Sequence, residues 1–142
     1  MPPTIPSQIM ALDVGSKRIG VAIANSVARL PRPLTTLDAE VDALGQLAAL
    51  IASQGVNTLV VGLPRGLEGQ ETSQTATVRS FVDGLAQFGL PVYFQDEALT
   101  SRKAEAELAA RGKAYNKGDV DALAATYILE DFLTNQTQEA AL

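Results

Sequence analysis

The chain has 142 residues, a length that fits one domain large enough to bury a core. Apolar residues make up 46% of it and charged residues 19%, which is the composition of a globular protein. The chain has no histidine and no cysteine, so Ser-His-Asp and Cys-His triads are excluded, as are zinc sites built on imidazole or thiolate. Any metal must therefore be held by oxygen, which favours hard ions such as Mg²⁺ or Mn²⁺.

The N-terminal segment contains three prolines in its first eight residues and predicts a flexible arm over residues 1–8. It lacks the pattern of a signal peptide, and no apolar run reaches the roughly 18 residues that a membrane span requires. We therefore expect a cytoplasmic protein without a membrane partner. The net charge of −5 argues mildly against nucleic acid as a partner, although the basic residues concentrate near the site considered below.

The predicted elements begin with two apolar runs, Ile9 to Val14 and Ile19 to Ala24, whose short separation at Gly15 predicts a β-hairpin. A short third strand is expected over 34–37, and further strands over 58–63 and 91–95. Helical spacing predicts helices over 38–53, 72–88, 101–111 and 119–133, the first with acids near its N-terminus. This order predicts an α/β fold: a mixed five-stranded sheet, three strands antiparallel and then two parallel, with helices on both faces. We expect one domain over 9–133 and a polar tail over 134–142.

Three acids occupy positions where their surroundings suggest chemistry. Asp13 lies within the otherwise apolar first strand, where an unpaired carboxylate is costly. Glu97 comes just after the last predicted strand. Asp121 is in the first turn of the last helix, on a face of small apolar residues that we expect to pack on the sheet. The three carboxylates can converge at one sheet edge, as two-metal phosphodiester chemistry requires, because two divalent ions roughly 4 Å apart must be neutralised.

Each acid also has a simpler explanation. Asp13 could cap the turn at Gly15 through an Asx interaction. Glu97 could be a solvated loop acid, and Asp121 could serve only to meet the positive end of the helix dipole. Composition and spacing alone leave these alternatives open.

Four blocks of sequence resemble the YqgF family, also called RuvX, the pre-16S rRNA nucleases. They are ALDVGSKRIGVAIA, VVGLPRGLEGQETSQTATVRSF, QDEALTSRKAEAEL and NKGDVDALAATYILEDFL, and they follow the family's order and spacing over about residues 9 to 133. The resemblance implies an RNase H-like fold. It also implies that Asp13, Glu97 and Asp121 are the catalytic residues and the metal ligands, with Asp96 and Asp119 ranking below them.

The resemblance further marks four basic residues as candidates to contact the nucleic-acid backbone: Lys17, Arg18, Arg65 and Lys117. Each could instead be a solvated surface charge. Two positions depart from the family pattern. Ala98 stands where many relatives carry an arginine, which removes one candidate phosphate contact, and Asn25 stands where relatives often carry an acid. Neither change affects the three acids.

The resulting hypothesis is hydrolysis of a phosphodiester bond with two Mg²⁺ or Mn²⁺ ions that share Asp13 as a ligand. The resemblance favours 5′-end maturation of pre-16S rRNA as the role. Resolution of four-way DNA junctions is the alternative; a resolvase would need a homodimer, whereas end trimming could be done by a monomer. A non-catalytic nucleic-acid-binding module is a rival from another class, which loss of one acid would have favoured. An actin-like ATPase would need two domains around a nucleotide, more than 142 residues supply.

Overall fold

Three antiparallel strands open the fold. The computed structural model describes residues 7–66, 68–97, 100–112 and 116–140, with the backbone alone for 100–103 and 136–140. Strand β1 (Gln8–Val14) pairs with β2 (Arg18–Asn25), and β2 pairs with β3 (Arg32–Asp38). The predicted hairpin is confirmed: the Gly15 N–H donates to the Arg18 carbonyl at 2.9 Å and closes the turn. Residues 1–6 of the expected arm and Ala98 lie outside the described residues.

Two parallel strands complete the sheet on the other side of β1. Strand β4 (Val56–Pro64) pairs parallel with β1, and β5 (Val92–Glu97) pairs parallel with β4, so the order is β3-β2-β1-β4-β5. The predicted mixed five-stranded sheet is confirmed. Strands β1 and β4 are apolar on both faces because helices cover both sides of the sheet.

The helices divide between the two faces. Helices α1 (Ala43–Gln54) and α2 (Ser73–Leu85), the latter followed by a 3₁₀ turn, pack on one face against Met10, Leu12 and Val14. Helix α4 (Lys117–Ala140) covers the other face, where it contacts Ile9 and Ala11, and α3 (Thr100–Ala110) packs on α4. Because side chains alternate along a strand, Asp13 shares the α4 face with Ile9 and Ala11.

The N-terminus of α1 differs from its prediction. Asp38 ends β3 and the helix begins only at Ala43, so the expected acids lie before its first turn, which contains none. Asp42 instead caps the helix in a left-handed conformation, and its carboxylate accepts from the Gly45 N–H at 3.2 Å. The acid acts through a cap hydrogen bond, which helical spacing alone does not distinguish from a place inside the helix.

The C-terminal helix also extends beyond its prediction. Residues 134–140, expected in the polar tail, continue α4 to Ala140. Tertiary contacts hold the helix where this part begins: Arg29 Nη2 donates to the Leu133 carbonyl at 2.6 Å, and the Asn135 amide donates to Gln95 Oε1 at 3.0 Å. Strand β1 begins at Gln8, a residue of the expected arm, and β5 runs on to Glu97. None of the described helices has the length and apolarity that crossing a membrane would require.

Candidate active site

Asp13 is the centre of the candidate site. Its carboxyl group is largely withdrawn from water on the face of β1 that α4 covers. Burial raises its pKa from the ordinary value of 3.8 to about 8, and repulsion by the carboxylates of Glu97 and Asp121 adds to the increase. The structure therefore brings the three predicted acids into electrostatic contact, although they come from β1, β5 and α4.

Two glycines beside Asp13 allow the other acids to approach it. Gly20 pairs with Asp13 across β1 and β2, and a Cβ at Gly20 would collide with the backbone of Asp121. Gly62 follows the β4 residue that pairs with Leu12, and a Cβ there would overlap the Glu97 carboxylate and the Ile128 side chain. The first glycine lets α4 lie directly on β2, and the second leaves the space that the Glu97 carboxylate occupies.

Asp121 is held by a basic residue. Arg18 Nε donates to Asp121 Oδ2 at 2.6 Å, and the Asp121 side chain is only 19% exposed. Among the described residues, no group of three acidic side chains has the arrangement that would hold a metal ion. Arg18 is thus the counter-ion of Asp121.

A cleft of about 280 Å³ opens beside this ion pair. Its lining consists of the β1–β2 turn, one residue of α2 and one of α4: Gly15, Ser16, Lys17, Arg18, Gln74 and Asp121. Gln74 is fixed there because its amide donates to the Val14 carbonyl at 3.1 Å. The cleft joins two basic side chains to one carboxylate of the site, a combination suited to a phosphate group near a metal ion.

The remaining predicted residues lie outside this cleft. Arg65 pairs with Asp96 across 3.2 Å, and both side chains are exposed. Lys117 is the exposed first residue of α4. Asp119 exchanges hydrogen bonds with Asn116 at 2.9 and 3.1 Å, as in a capping box at the start of the same helix. Asp96 and Asp119 thus have partners of their own.

Comparison with known proteins gives the family. Residues 7–135 match the family model described as RuvX, Holliday junction resolvase. A protein of Chloroflexus aggregans named "Putative pre-16S rRNA nuclease" is 45% identical over 130 residues, which cover 88% of this chain and 92% of the relative. A protein of the same name from Moorella thermoacetica is 42% identical over 134 residues, covering 89% and 94%. The chain belongs to the RuvX family.

Solved structures agree on the fold. Thermus thermophilus RuvC in complex with a Holliday junction substrate aligns with a TM-score of 0.56 at 17% identity, covering 93% of this chain and 96% of RuvC. A further RuvC structure from Thermus thermophilus aligns with a TM-score of 0.51 at 16% identity, covering 92% and 96%. This RuvX chain therefore has the RNase H-like fold that its sequence blocks imply.

Sequence reasoning missed two parts of this RuvX site. Gly20 and Gly62 stand inside apolar strands, and glycine in a strand is itself a sign of close backbone approach, so that signal was available. The Arg18–Asp121 ion pair joins residues 103 positions apart, and no local pattern reports it.

Proposed function

We propose that this RuvX chain is a divalent-metal-dependent nuclease in which Asp13, Glu97 and Asp121 hold the ions. The observation that carries the proposal is the state of Asp13, a partly buried carboxyl group whose pKa rises to about 8 beside two neighbouring carboxylates. Such a cluster is unfavourable in isolation, and cations relieve it. Perturbed acids of this kind are typical of functional sites.

The donor set fits Mg²⁺ or Mn²⁺, because all three side chains offer carboxylate oxygens and the chain has no histidine or cysteine. Two bound ions would activate water and stabilise the leaving 3′ oxygen. Asp13 would serve both ions, with Glu97 and Asp121 on either side. Arg18 would exchange Asp121 for a substrate phosphate in the cleft that it lines with Lys17.

The substrate that we favour is the 5′ end of pre-16S rRNA. The support is the name of the relatives at 42–45% identity, which this chain matches over most of its length. The four predicted basic residues, Lys17, Arg18, Arg65 and Lys117, would contact the phosphate backbone. Maturation of ribosomal RNA would give the protein a cytoplasmic location.

Resolution of four-way DNA junctions is the second candidate, favoured by the description of the matching family model. Cutting two strands symmetrically requires two sites, so this function would need a homodimer. A binding module without chemistry is the third, and it would retain nucleic-acid affinity without cleavage.

A side-by-side cleavage assay tests the proposal. The substrates are a labelled pre-16S 5′ fragment and a synthetic four-way DNA junction, each with Mg²⁺, with Mn²⁺ and with EDTA. We expect metal-dependent cutting of the RNA, abolished in Asp13→Asn and retained in the matched control Asp119→Asn, whose carboxylate only caps α4. Paired nicks in the junction would favour the resolvase, and binding without cutting would favour the module. Full activity of Asp13→Asn would show that Asp13 is not part of the active site.

A further inference from the structure

Two aromatic side chains lie exposed on the edge strand β5. Tyr93 is 47% exposed and Phe94 is 40% exposed, and they are adjacent in sequence. Strand β5 is last in the described sheet order, so its outer edge pairs with no other described strand. The pair on β5 therefore presents ring surface to water.

Both rings are held in place by neighbours on opposite faces of the sheet. The Tyr93 ring lies 5.5 Å from the ring of Phe132, on the α4 face. On the α2 face, the Arg79 guanidinium carbon lies 5.4 Å above the Phe94 ring. Arg79 is in turn fixed by Glu71 at 2.7 and 3.2 Å. Rings fixed in this way lose little conformational entropy when a planar ligand stacks on them.

A groove of about 500 Å³ runs over this edge, and we call it the β5 groove. Besides the two rings, its lining includes Arg65, Arg79, Asp96 and Asn135. Its volume falls in the range that accommodates small organic ligands such as a nucleotide. The Arg65–Asp96 ion pair is exposed, and pairs of this kind contribute little to stability, so Arg65 can exchange its carboxylate for a phosphate.

The β5 groove follows the strand that carries one acid of the three-carboxylate site. Side chains alternate along a strand, so Tyr93 shares the α4 face of β5 with Glu97, whose charge acts on Asp13. Tyr93 and Glu97 are four residues apart, which corresponds to roughly 13 Å along the strand. A chain of nucleotides that leaves the carboxylates along this face of β5 therefore reaches the Tyr93 ring at the groove.

We propose that the β5 groove binds an unpaired nucleotide next to the scissile phosphate, by stacking its base on Tyr93 or Phe94 and holding its phosphate with Arg65 or Arg79. The inference rests on the proposed nuclease function and deepens it, since it specifies single-stranded nucleic acid as the substrate class. Aromatic side chains and arginines in a groove are the usual means of binding unpaired bases. Bases within duplex arms are already stacked on each other and present no free face.

The absence of tryptophan from the chain makes a direct test possible. Phe94→Trp introduces a single tryptophan into the groove, and Val27→Trp places one at a 68% exposed site between β2 and β3 as the matched control. In EDTA, an unstructured oligoribonucleotide should quench the emission of Phe94→Trp and leave that of Val27→Trp unchanged. Binding is followed in parallel by anisotropy of the labelled oligonucleotide. Binding without selective quenching would overturn the proposal. So would a change in Phe94→Trp emission that depends on protein concentration alone, because it would assign the edge to a second copy of the chain.

Phe94→Ala provides the affinity measurement. Loss of one stacked base should weaken oligonucleotide binding roughly 5-fold or more, with recovery in Phe94→Tyr. With a substrate carrying a single-stranded flank, KM should rise by a similar factor while kcat changes little, and binding of an intact four-way junction should be unaffected. An unchanged oligonucleotide affinity in Phe94→Ala would count against the groove. Because quenching is measured without metal, selective quenching in a protein that cuts nothing would refute the nuclease function and leave the groove in place.

Discussion

The raised pKa of the Asp13 carboxyl makes the stability of the protein sensitive to pH. Its pKa is about 8 in the folded protein against an ordinary value of 3.8, so between these values the folded state binds a proton that the unfolded state has lost. The stabilisation is complete below about pH 4 and is lost as the pH rises towards 8, with a limiting slope of about 1.4 kcal/mol per unit. We expect the free energy of unfolding in EDTA to fall over this window.

The matched variant is Asp13→Asn, which cannot ionise. Urea denaturation in EDTA should show Asp13→Asn more stable than the native protein at pH 8, with the difference shrinking towards pH 5. Asp119→Asn, which alters an exposed cap, should follow the pH dependence of the native protein. Parallel pH profiles for native protein and Asp13→Asn would contradict the raised pKa of Asp13.

At the proposed metal site, Arg18 would compete with the ions for Asp121. Its Nε donates to Asp121 Oδ2, so an ion that uses this carboxylate must displace it. We therefore expect Arg18→Met to bind Mn²⁺ more tightly than the native protein, measured by calorimetry, and to bind nucleic acid less tightly. The thermal midpoint of the native protein should rise with Mn²⁺, whereas Asp13→Asn should respond much less. Weaker Mn²⁺ binding in Arg18→Met would assign Arg18 a purely structural role.

Strand glycines determine how closely the elements of the site approach. At Gly20 an added Cβ meets the backbone of Asp121, which cannot move without displacing α4. At Gly62 it meets the ends of two side chains, Glu97 and Ile128, which can rotate away. We expect Gly20→Ala to lose about 3 kcal/mol or more of stability, and Gly62→Ala only about 1–2 kcal/mol.

Gly62→Ala should lose more activity than its small loss of stability explains. Gly62→Ala moves the Glu97 carboxylate away from Asp13, and a displacement of that size should reduce cleavage about 100-fold in protein that remains folded. Gly84→Ala on α2 is the control, since its Cβ would meet only the Leu44 side chain. Normal kcat in folded Gly62→Ala would show that the position of Glu97 is not critical.

Element order and type could be predicted from the sequence because apolar periodicity reports which face each segment buries. The ends could not, because tertiary contacts set them. Arg29 and Gln95 bind α4 at Leu133 and Asn135, around its predicted end, through hydrogen bonds between residues far apart in the sequence. Asp42 illustrates a second limit of prediction from sequence. The spacing of apolar residues does not distinguish an acid that caps α1 from an acid inside the first turn of that helix.

The sequence predicts which residues belong to the candidate site better than it predicts how they are arranged. The apolar strand around Asp13 and the apolar helix face around Asp121 indicate that these two acids face each other. Only the resemblance indicates that Glu97, and not its exposed neighbour Asp96, is the third acid of the site. The exposure of Tyr93 and Phe94 escaped prediction because it depends on β5 being the last strand of the sheet. Strand order is a property of the whole molecule, and residue spacing does not contain it.

The charge of the whole molecule limits how the protein can bind nucleic acid. A net charge of −5 repels a polyanion at long range, so binding must depend on a few local cations. If Lys17, Arg18, Arg65 and Lys117 each neutralise one phosphate, the logarithm of affinity for a single strand should fall with the logarithm of salt concentration at a slope of about −3.

Replacing one of these cations tests this estimate. Lys17→Gln should reduce the salt slope by about 0.7, because one phosphate contact is lost, and weaken binding at low salt. Arg32→Gln is the matched control, since Arg32 is exposed on β3, at the opposite edge of the sheet from β5. All titrations are made with proteins that also carry Asp13→Asn, so that the substrate stays intact. In these titrations we expect the salt slope of Arg32→Gln to equal that of the protein in which Arg32 and Lys17 are unchanged. Equal reductions in both variants would show that Lys17 makes no specific phosphate contact, because removing either charge would then act only through the general field of the protein.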